Sequence, residues 1–141
     1  MLVRILPVIG LMACLSVFGV CQRKEIRHVP VKATSPASGP EMYTTYCAVC
    51  HGIDGKGKGP AAEALKVPPT DLTMLAKKYG GKYPSDHVAN AIRGDLRLSA
   101  QGSKEMPVWG ELFWGMSEGH GSEVQLRVKN LNKYIESLQA K

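Results

Sequence analysis

The feature that most constrains this chain is a short cysteine and histidine motif, Cys47-Ala48-Val49-Cys50-His51. On a helix, residues at positions i, i+3 and i+4 share one face, so both thiols and the imidazole would point to the same side. Each thiol can then form a thioether with one of the two vinyl groups of a porphyrin, and His51 can reach the iron. The C-x-x-C-H pattern is the attachment signal of a c-type haem, and its single occurrence predicts one covalent haem.

Three other interpretations of this motif are weaker. A zinc ribbon needs a second pair of ligands, and the other two cysteines, Cys14 and Cys21, lie in an N-terminal apolar segment. A thioredoxin-type redox pair expects a strand followed by a helix, which this chain does not suggest. A chance occurrence requires two scarce residues and a histidine in register. The motif therefore favours haem attachment.

The N-terminal segment, residues 1–21, reads as an export signal or lipoprotein leader. Its apolar run, Ile5 to Val20, is short for a membrane-spanning helix and is followed by a polar stretch. Lipidation at Cys14 or Cys21, a plain cut after Gly19 and a retained anchor all stay open. We expect an exported, periplasmic protein that is cleaved there or attached to the membrane through its N-terminus.

Residues 22–38 are rich in proline and small polar residues, which predicts a flexible tether. Four basic residues against one acidic residue give this stretch a charge of +3, whereas residues 39–141 carry only +2. Two haem propionates would bring the folded part near neutrality, which argues against a nucleic-acid partner. The basic tether suits an anionic membrane surface or simply solubility.

Residues 39–141 predict one all-α domain. Ser38-Gly39-Pro40-Glu41 has the form of a capping box and begins a helix that runs into the cysteine motif. Two short helices are predicted, one after Asp71 up to Tyr79 and one after Ser85 up to Arg93, and each is followed by glycine. A last helix, capped by Ser122, has apolar residues at steps of three and four: Val124, Val128, Leu131, Ile135 and Leu138. Aromatic residues make up only 6% of the chain, so a large apolar cofactor would supply core surface that the side chains lack.

On these residues the chain resembles a class I cytochrome c over 39–141. In that family a glycine and an aromatic residue precede the first haem cysteine by eight and four positions, as Gly39 and Tyr43 do here. A leucine and a tyrosine three apart on the C-terminal helix are matched by Leu131 and Tyr134. The resemblance implies that the N- and C-terminal helices cross, with short middle helices and loops wrapping one haem.

The resemblance also implies a partner for the haem histidine. The family has a Gly-Pro pair after this histidine, and Gly59-Pro60 follows His51 here. The carbonyl of Pro60 would accept the Nδ1 proton of His51, which fixes the tautomer that leaves Nε2 for the iron.

The sixth iron ligand must come from the opposite face of the haem. Met106 lies in Met-Pro-Val-Trp-Gly, 55 positions after His51, and this stretch is similar to the Met-Pro-x-Trp-Gly loops of many bacterial members. Met106 is therefore the predicted ligand. Met74 is interpreted as a core residue, because a methionine alone more often fills a gap in the core.

Other side chains receive lesser roles. Met116 and His120 lie in the glycine-rich stretch 115–121 and are interpreted as loop residues, although either stays open as a substitute ligand. His87 is expected to be exposed. Trp109 is expected to cover one haem face or to pack in the core.

With His51 and Met106 both bound, the iron has no open site, so the expected function is single-electron transfer without turnover of a substrate. The donor and acceptor would be redox proteins, and Lys56 and Lys58 either steer an acidic partner or form a solvated turn. Two alternatives stay open. One is a docked cytochrome subunit of a larger oxidoreductase, and the other is a haem enzyme or gas sensor in which Met106 is displaced.

Overall fold

The computed structural model describes residues 31–95 and 106–140, and these residues form helices and loops without a strand. The all-α prediction is confirmed. The predicted leader and residues 22–30 lie outside the described part of the chain. In chain order the elements are α1 (Gly39–Met42), a π turn (Tyr43–Cys47), α2 (Ala48–His51), 3₁₀ turns (Ala62–Ala64 and Leu72–Met74), α3 (Leu75–Lys78), α4 (Ser85–Arg93), α5 (Trp109–Met116) and α6 (Gly121–Ser137).

The first helical run begins where the sequence predicts. The Ser38 side chain accepts a hydrogen bond from the backbone N–H of Glu41 at 3.3 Å, so Ser38 is the N-cap. The box is not reciprocal, because the Glu41 carboxylate accepts from the N–H of Ser35 at 3.1 Å instead. The run then passes through the π turn into α2, and π turns of this kind often occur at functional sites.

The N- and C-terminal helices cross at very close range. A Cβ on Gly39 would collide with the carbonyl oxygen of Asn130 and lie 2.9 Å from Cβ of Tyr134. The rings of Tyr43 and Tyr134 meet beside this contact, with centroids 5.2 Å apart, and Leu131 is completely buried. The crossing that the resemblance implies is present, and it depends on the missing side chain of Gly39.

The two middle helices lie close to their predicted bounds. The Asp71 side chain accepts from the N–H of Thr73 at 2.9 Å and caps the 3₁₀ turn that leads into α3. Helix α4 ends at Gly94, whose φ of 85° is the left-handed conformation that favours glycine at a helix C-terminus.

Helix α5 was not predicted from the sequence. Its glycines weaken the apolar period, but its aromatic residues are held in the core. Phe113 is fully buried, and the ring of Trp109 lies 5.1 Å from that of Tyr46. Met116 is the last residue of this helix and packs against the core, so its interpretation as a loop residue is wrong.

Helix α6 has the predicted apolar face but a different beginning. Val124, Val128, Leu131 and Ile135 are buried, and Leu138 is partly buried against them. The N-cap is His120 rather than Ser122, because the His120 carbonyl already accepts from the N–H of Glu123 at 3.0 Å. Ser122 is therefore the second residue of the helix.

Residues 31–38 form a strap on the domain rather than part of a free tether. Thr34 is buried, and Arg127 of α6 donates to its carbonyl at 2.9 Å and to its Oγ1 at 3.2 Å. The Tyr46 hydroxyl donates to the carbonyl of Lys32 at 2.7 Å, which leaves its oxygen to accept from the Thr34 hydroxyl at 2.9 Å. The compact unit begins at Val31, so the domain boundary lies earlier than the predicted Gly39.

An ion pair between the buried Arg127 and the partly exposed Glu123 lies beside this strap. Arg127, only 4% exposed, pairs with Glu123 one turn earlier on α6, with 2.8 Å between Nη2 and Oε1. Its guanidinium also lies 6.0 Å from the centroid of the Phe113 ring.

Within the described ranges, no helix is long and apolar enough to cross a bilayer.

Candidate functional site

The cysteine motif lies at the end of the first helical run, as its spacing predicts. Cys47 is the last residue of the π turn and is buried, whereas Cys50 on α2 is half-buried. The two cysteines do not form a disulfide with each other. Burial raises the pKa of the Cys47 thiol to about 12, so this group stays protonated at neutral pH.

His51 is the last residue of α2, and its ring is fixed by one hydrogen bond. Nδ1 lies 3.0 Å from the carbonyl oxygen of Thr70. A carbonyl can only accept, so Nδ1 carries the proton and Nε2 keeps its lone pair. Burial lowers the pKa of His51, outweighing the opposite effect of the Thr70 hydrogen bond, and so favours the neutral ring. This is the tautomer that an iron ligand requires.

The acceptor is Thr70 and not Pro60, which corrects the expectation drawn from the resemblance. Pro60 is exposed and lies in a turn that folds back on the end of the motif helix. In that turn the N–H of Gly59 donates to the Cys50 carbonyl at 3.0 Å, and the N–H of Ala61 donates to the Val49 carbonyl at 2.9 Å. Gly59 and Ala61, on either side of Pro60, thus satisfy two carbonyls at the C-terminus of the helix.

A glycine-rich loop brings Thr70 to the histidine. The N–H of Gly57 donates to the His51 carbonyl at 2.7 Å, and a Cβ on Gly57 would collide with the carbonyl oxygen of Pro69. Gly57 also has a φ of 77°, so no other residue fits this turn without strain. The close approach of the two backbones places Thr70 beside the ring of His51.

The candidate methionines occupy different surroundings. Met106 lies three residues before the first residue of α5 and is 38% exposed. Met116 packs on the core, and its sulfur lies 3.5 Å from the Tyr46 hydroxyl. Met74 is half-buried at the end of a 3₁₀ turn.

His87 and His120 have partners of their own. His87 is half-buried rather than exposed, and its Nε2 lies 3.1 Å from the hydroxyl of Tyr79. His120 caps α6, with Nδ1 lying 2.8 Å from the Ser117 carbonyl. Among residues 31–95 and 106–140, no three His, Cys, Asp or Glu side chains are grouped so that they could hold a metal ion.

The surface beside the motif combines apolar and basic side chains. Ile53 is 78% exposed and Val49 is 47% exposed. Lys58 is also exposed, and Lys56 makes only a loose pair with Asp54, with 3.8 Å between Nζ and Oδ2. Exposed pairs of this kind contribute little to stability, so both lysines present their charge to solvent.

The residues present fit a covalently attached haem. Two cysteines lie three residues apart on one helical run, and the adjacent imidazole has its Nε2 lone pair available. Sequence reasoning found these three residues but missed Thr70. Thr70 acts through its backbone carbonyl, so its residue type gives no signal in the sequence. The one indirect signal is its position directly before Asp71, whose residue type is typical of a helix N-cap.

Comparison with known proteins assigns a family to this arrangement. The family model described as Cytochrome c matches residues 36–139, roughly three quarters of the chain. No curated protein matches the chain. No solved structure matches it either.

Proposed function

This chain belongs to the cytochrome c family, and we propose that it is an exported, periplasmic carrier of single electrons with one haem. Members of the family bind haem covalently and transfer electrons. In the proposed site Cys47 and Cys50 form the two thioethers, and His51 and Met106 are the axial ligands.

The observation that carries the proposal is the state of His51. Its Nδ1 proton is held by the Thr70 carbonyl at 3.0 Å, and its ring belongs to the same helical run as both thiols. A neutral imidazole that is already oriented loses little rotational freedom when it binds a metal, and the carbonyl partner raises its basicity as a ligand.

The assignment of Met106 is supported by the anchoring of Trp109, three residues further along the chain. The ring of Trp109 lies against that of Tyr46 at 5.1 Å, and Tyr46 directly precedes Cys47. This contact holds the C-terminal end of the Met106 loop to the helix of the motif. Met116 is less suitable, because its sulfur is packed into the core next to the Tyr46 hydroxyl.

Two strong axial ligands favour electron transfer over catalysis. The haem iron supplies a one-electron redox couple, and a neutral thioether ligand favours its ferrous state. The chain's own residues fix the ligand geometry and exclude water. The exposed Ile53 and Val49 beside the motif, with Lys58 nearby, suit contact with a redox partner protein. That surface also suits a docked subunit of a larger oxidoreductase, which is the second candidate.

Mass spectrometry and optical spectroscopy test this proposal together. The full chain, with its leader, is expressed in a host that attaches c-type haem, and the periplasmic and membrane fractions are separated. We expect the denatured protein to retain one haem and to lose it when Cys47 and Cys50 are both replaced by Ser. A mass equal to the bare polypeptide would refute haem attachment. Rapid binding of carbon monoxide by the unmutated reduced protein would refute the two-ligand site and favour a sensor.

Fractionation distinguishes the proposed modes of attachment. The apolar run in residues 1–21 and the basic residues that follow it support attachment to the membrane through the N-terminus. Protein found wholly in the soluble periplasmic fraction would exclude anchoring but leave export in place.

A further inference from the structure

The backbone segment that carries the Thr70 carbonyl is held from two sides. On one side, the N–H of Leu72 donates to the carbonyl of Gly55, in the loop after the motif, at 2.7 Å. On the other side, the Gln139 side chain donates from Nε2 to the Leu72 carbonyl at 2.7 Å. Leu72 is therefore fixed through both of its backbone polar groups, two residues from Thr70.

Gln139 also takes the place of a helical hydrogen bond. Its Oε1 accepts from the N–H of Ala76 at 2.8 Å, while its Nε2 binds the carbonyl of Leu72. Leu72 and Ala76 are four residues apart, so in an unbroken α-helix their backbone groups would bond to each other. The backbone between them departs from helical geometry at Met74, where φ is −103° and ψ is 7°. The amide of Gln139 is thus inserted where the 3₁₀ turn meets α3.

The orientation of this amide is determined by its partners. Nε2 also donates to the carbonyl of Ile135 at 3.0 Å, so the NH₂ group faces two carbonyls and the oxygen faces an N–H. Exchanging the oxygen and the nitrogen would oppose like groups at all three contacts. The next residue adds a backbone bond, from the N–H of Ala140 to the Thr73 carbonyl at 2.9 Å. Gln139 and Ala140, just past the end of α6, therefore hold the Thr70–Ala76 segment at Leu72, Thr73 and Ala76.

We propose that Gln139 is a positioning residue for His51, an inference that rests on the proposed role of His51 as an iron ligand. By keeping the backbone open between Leu72 and Ala76, Gln139 holds the Thr70 carbonyl in line with Nδ1 of the ring. Without the inserted amide, Leu72 and Ala76 can bond directly, and closure of that turn moves the carbonyls that precede it.

The predicted effect on the haem has a definite sign. A hydrogen bond from Nδ1 to a carbonyl increases the electron density of the imidazole, which favours the ferric state. Weakening that bond therefore favours the ferrous state and raises the reduction potential. A roughly threefold change in the equilibrium constant for reduction corresponds to about 28 mV, at about 59 mV for each tenfold change in a one-electron couple.

The test compares haem-loaded variants of the full chain. Gln139→Met removes all three side-chain hydrogen bonds at nearly constant size. Gln139→Glu places one carboxylate oxygen against the Leu72 and Ile135 carbonyls, while the other can still accept from the N–H of Ala76. Gln125→Met is the matched control, because Gln125 is an exposed residue of α6. The reduction potential, solvent exchange of the His51 Nδ1 proton by NMR, and thermal stability are measured for each variant.

We expect Gln139→Met to raise the potential. Both Gln139 variants should speed exchange of the Nδ1 proton by about fivefold, as the loss of about one hydrogen bond would. The control should change neither. Lower thermal stability with unchanged potential and unchanged proton exchange would overturn the proposal and make Gln139 a purely structural residue. Failure of the unmutated protein to attach haem, or to show a His51-ligated spectrum, would refute the proposed function instead, so the two failures are distinguishable.

Discussion

The close crossing of α1 and α6 predicts opposite outcomes for one substitution at two glycines. For Gly39→Ala, the new Cβ would collide with the Asn130 carbonyl and lie 2.9 Å from Cβ of Tyr134, whereas carbon atoms in contact prefer about 3.5–4.0 Å. Such overpacking costs about 1–3 kcal/mol, which exceeds the gain of up to about 1 kcal/mol from replacing glycine by alanine in a helix. We expect a net loss of about 1–2 kcal/mol in the free energy of unfolding.

Gly115→Ala provides the control for this prediction. A Cβ on Gly115 of α5 would have no atom within 4 Å, so only the helix propensity changes. We expect a gain of about 0.5 kcal/mol, because the position is near the end of the helix. Thermal unfolding of the haem-loaded proteins, followed by far-UV circular dichroism, should lower the melting temperature for Gly39→Ala by about 4–8 °C per kcal/mol and raise it slightly for Gly115→Ala. An unchanged or raised melting temperature for Gly39→Ala would show that α1 and α6 do not approach this closely.

Three further outcomes are expected. Met106→Ala should abolish the far-red charge-transfer band of the ferric protein, lower its reduction potential and allow carbon monoxide to bind the iron. Met116→Ala should have none of these effects. The reverse result would contradict the ligand assignment. Arg127→Met should reduce the free energy of unfolding by about 1.5–3 kcal/mol, because charged hydrogen bonds are lost. Limited proteolysis should then cut the variant within residues 31–38. A variant that stays uncut there would contradict the packing of this strap through Arg127. Burial raises the pKa of Tyr43 well above its usual 10.0, so above pH 10 the unfolded chain releases a proton that the folded chain keeps. Denaturant titrations should show stability falling there by at most about 1.4 kcal/mol per pH unit from this group, and Tyr43→Phe should remove that part of the slope.

The helices with strong local signals could be predicted from the sequence. The apolar period of α6, the glycine after α4 and the Asp71 cap each follow from short-range rules, and each is present in the structure. The helical setting of Cys47 and Cys50 is of the same kind, since its spacing is itself a helical signal.

The parts that could not be predicted depend on contacts between distant residues. Residues 31–38 have the composition of a linker, and hydrogen bonds to the distant residues Tyr46 and Arg127 make Thr34 part of the domain. Helix α5 lacks a clear period and is held by the packing of Trp109 and Phe113.

In the candidate site, too, the local features could be predicted from the sequence and the contacts between distant residues could not. The side chains that would bind haem can be read from the motif, but the partner of His51 is a backbone carbonyl, which no residue type encodes. The resemblance predicted that the Pro60 carbonyl, nine residues after His51, accepts the Nδ1 proton. In the structure the loop places the Thr70 carbonyl at that nitrogen instead. Gln139 is 69 positions beyond Thr70 and carries no motif, so its bridge to Leu72 and Ala76 appears only in the folded chain.

The packing of residues 31–38 on the domain also limits the length of any tether between the domain and a membrane. The sequence alone suggests 17 free residues, 22–38, which fully extended would reach about 58 Å. Because residues 31–38 pack on the domain, a tether behind the proposed attachment at Cys21 has at most nine residues, 22–30, and nine residues span at most about 31 Å. For a chain held near Cys21, the haem would therefore meet only those partners that lie close to the membrane.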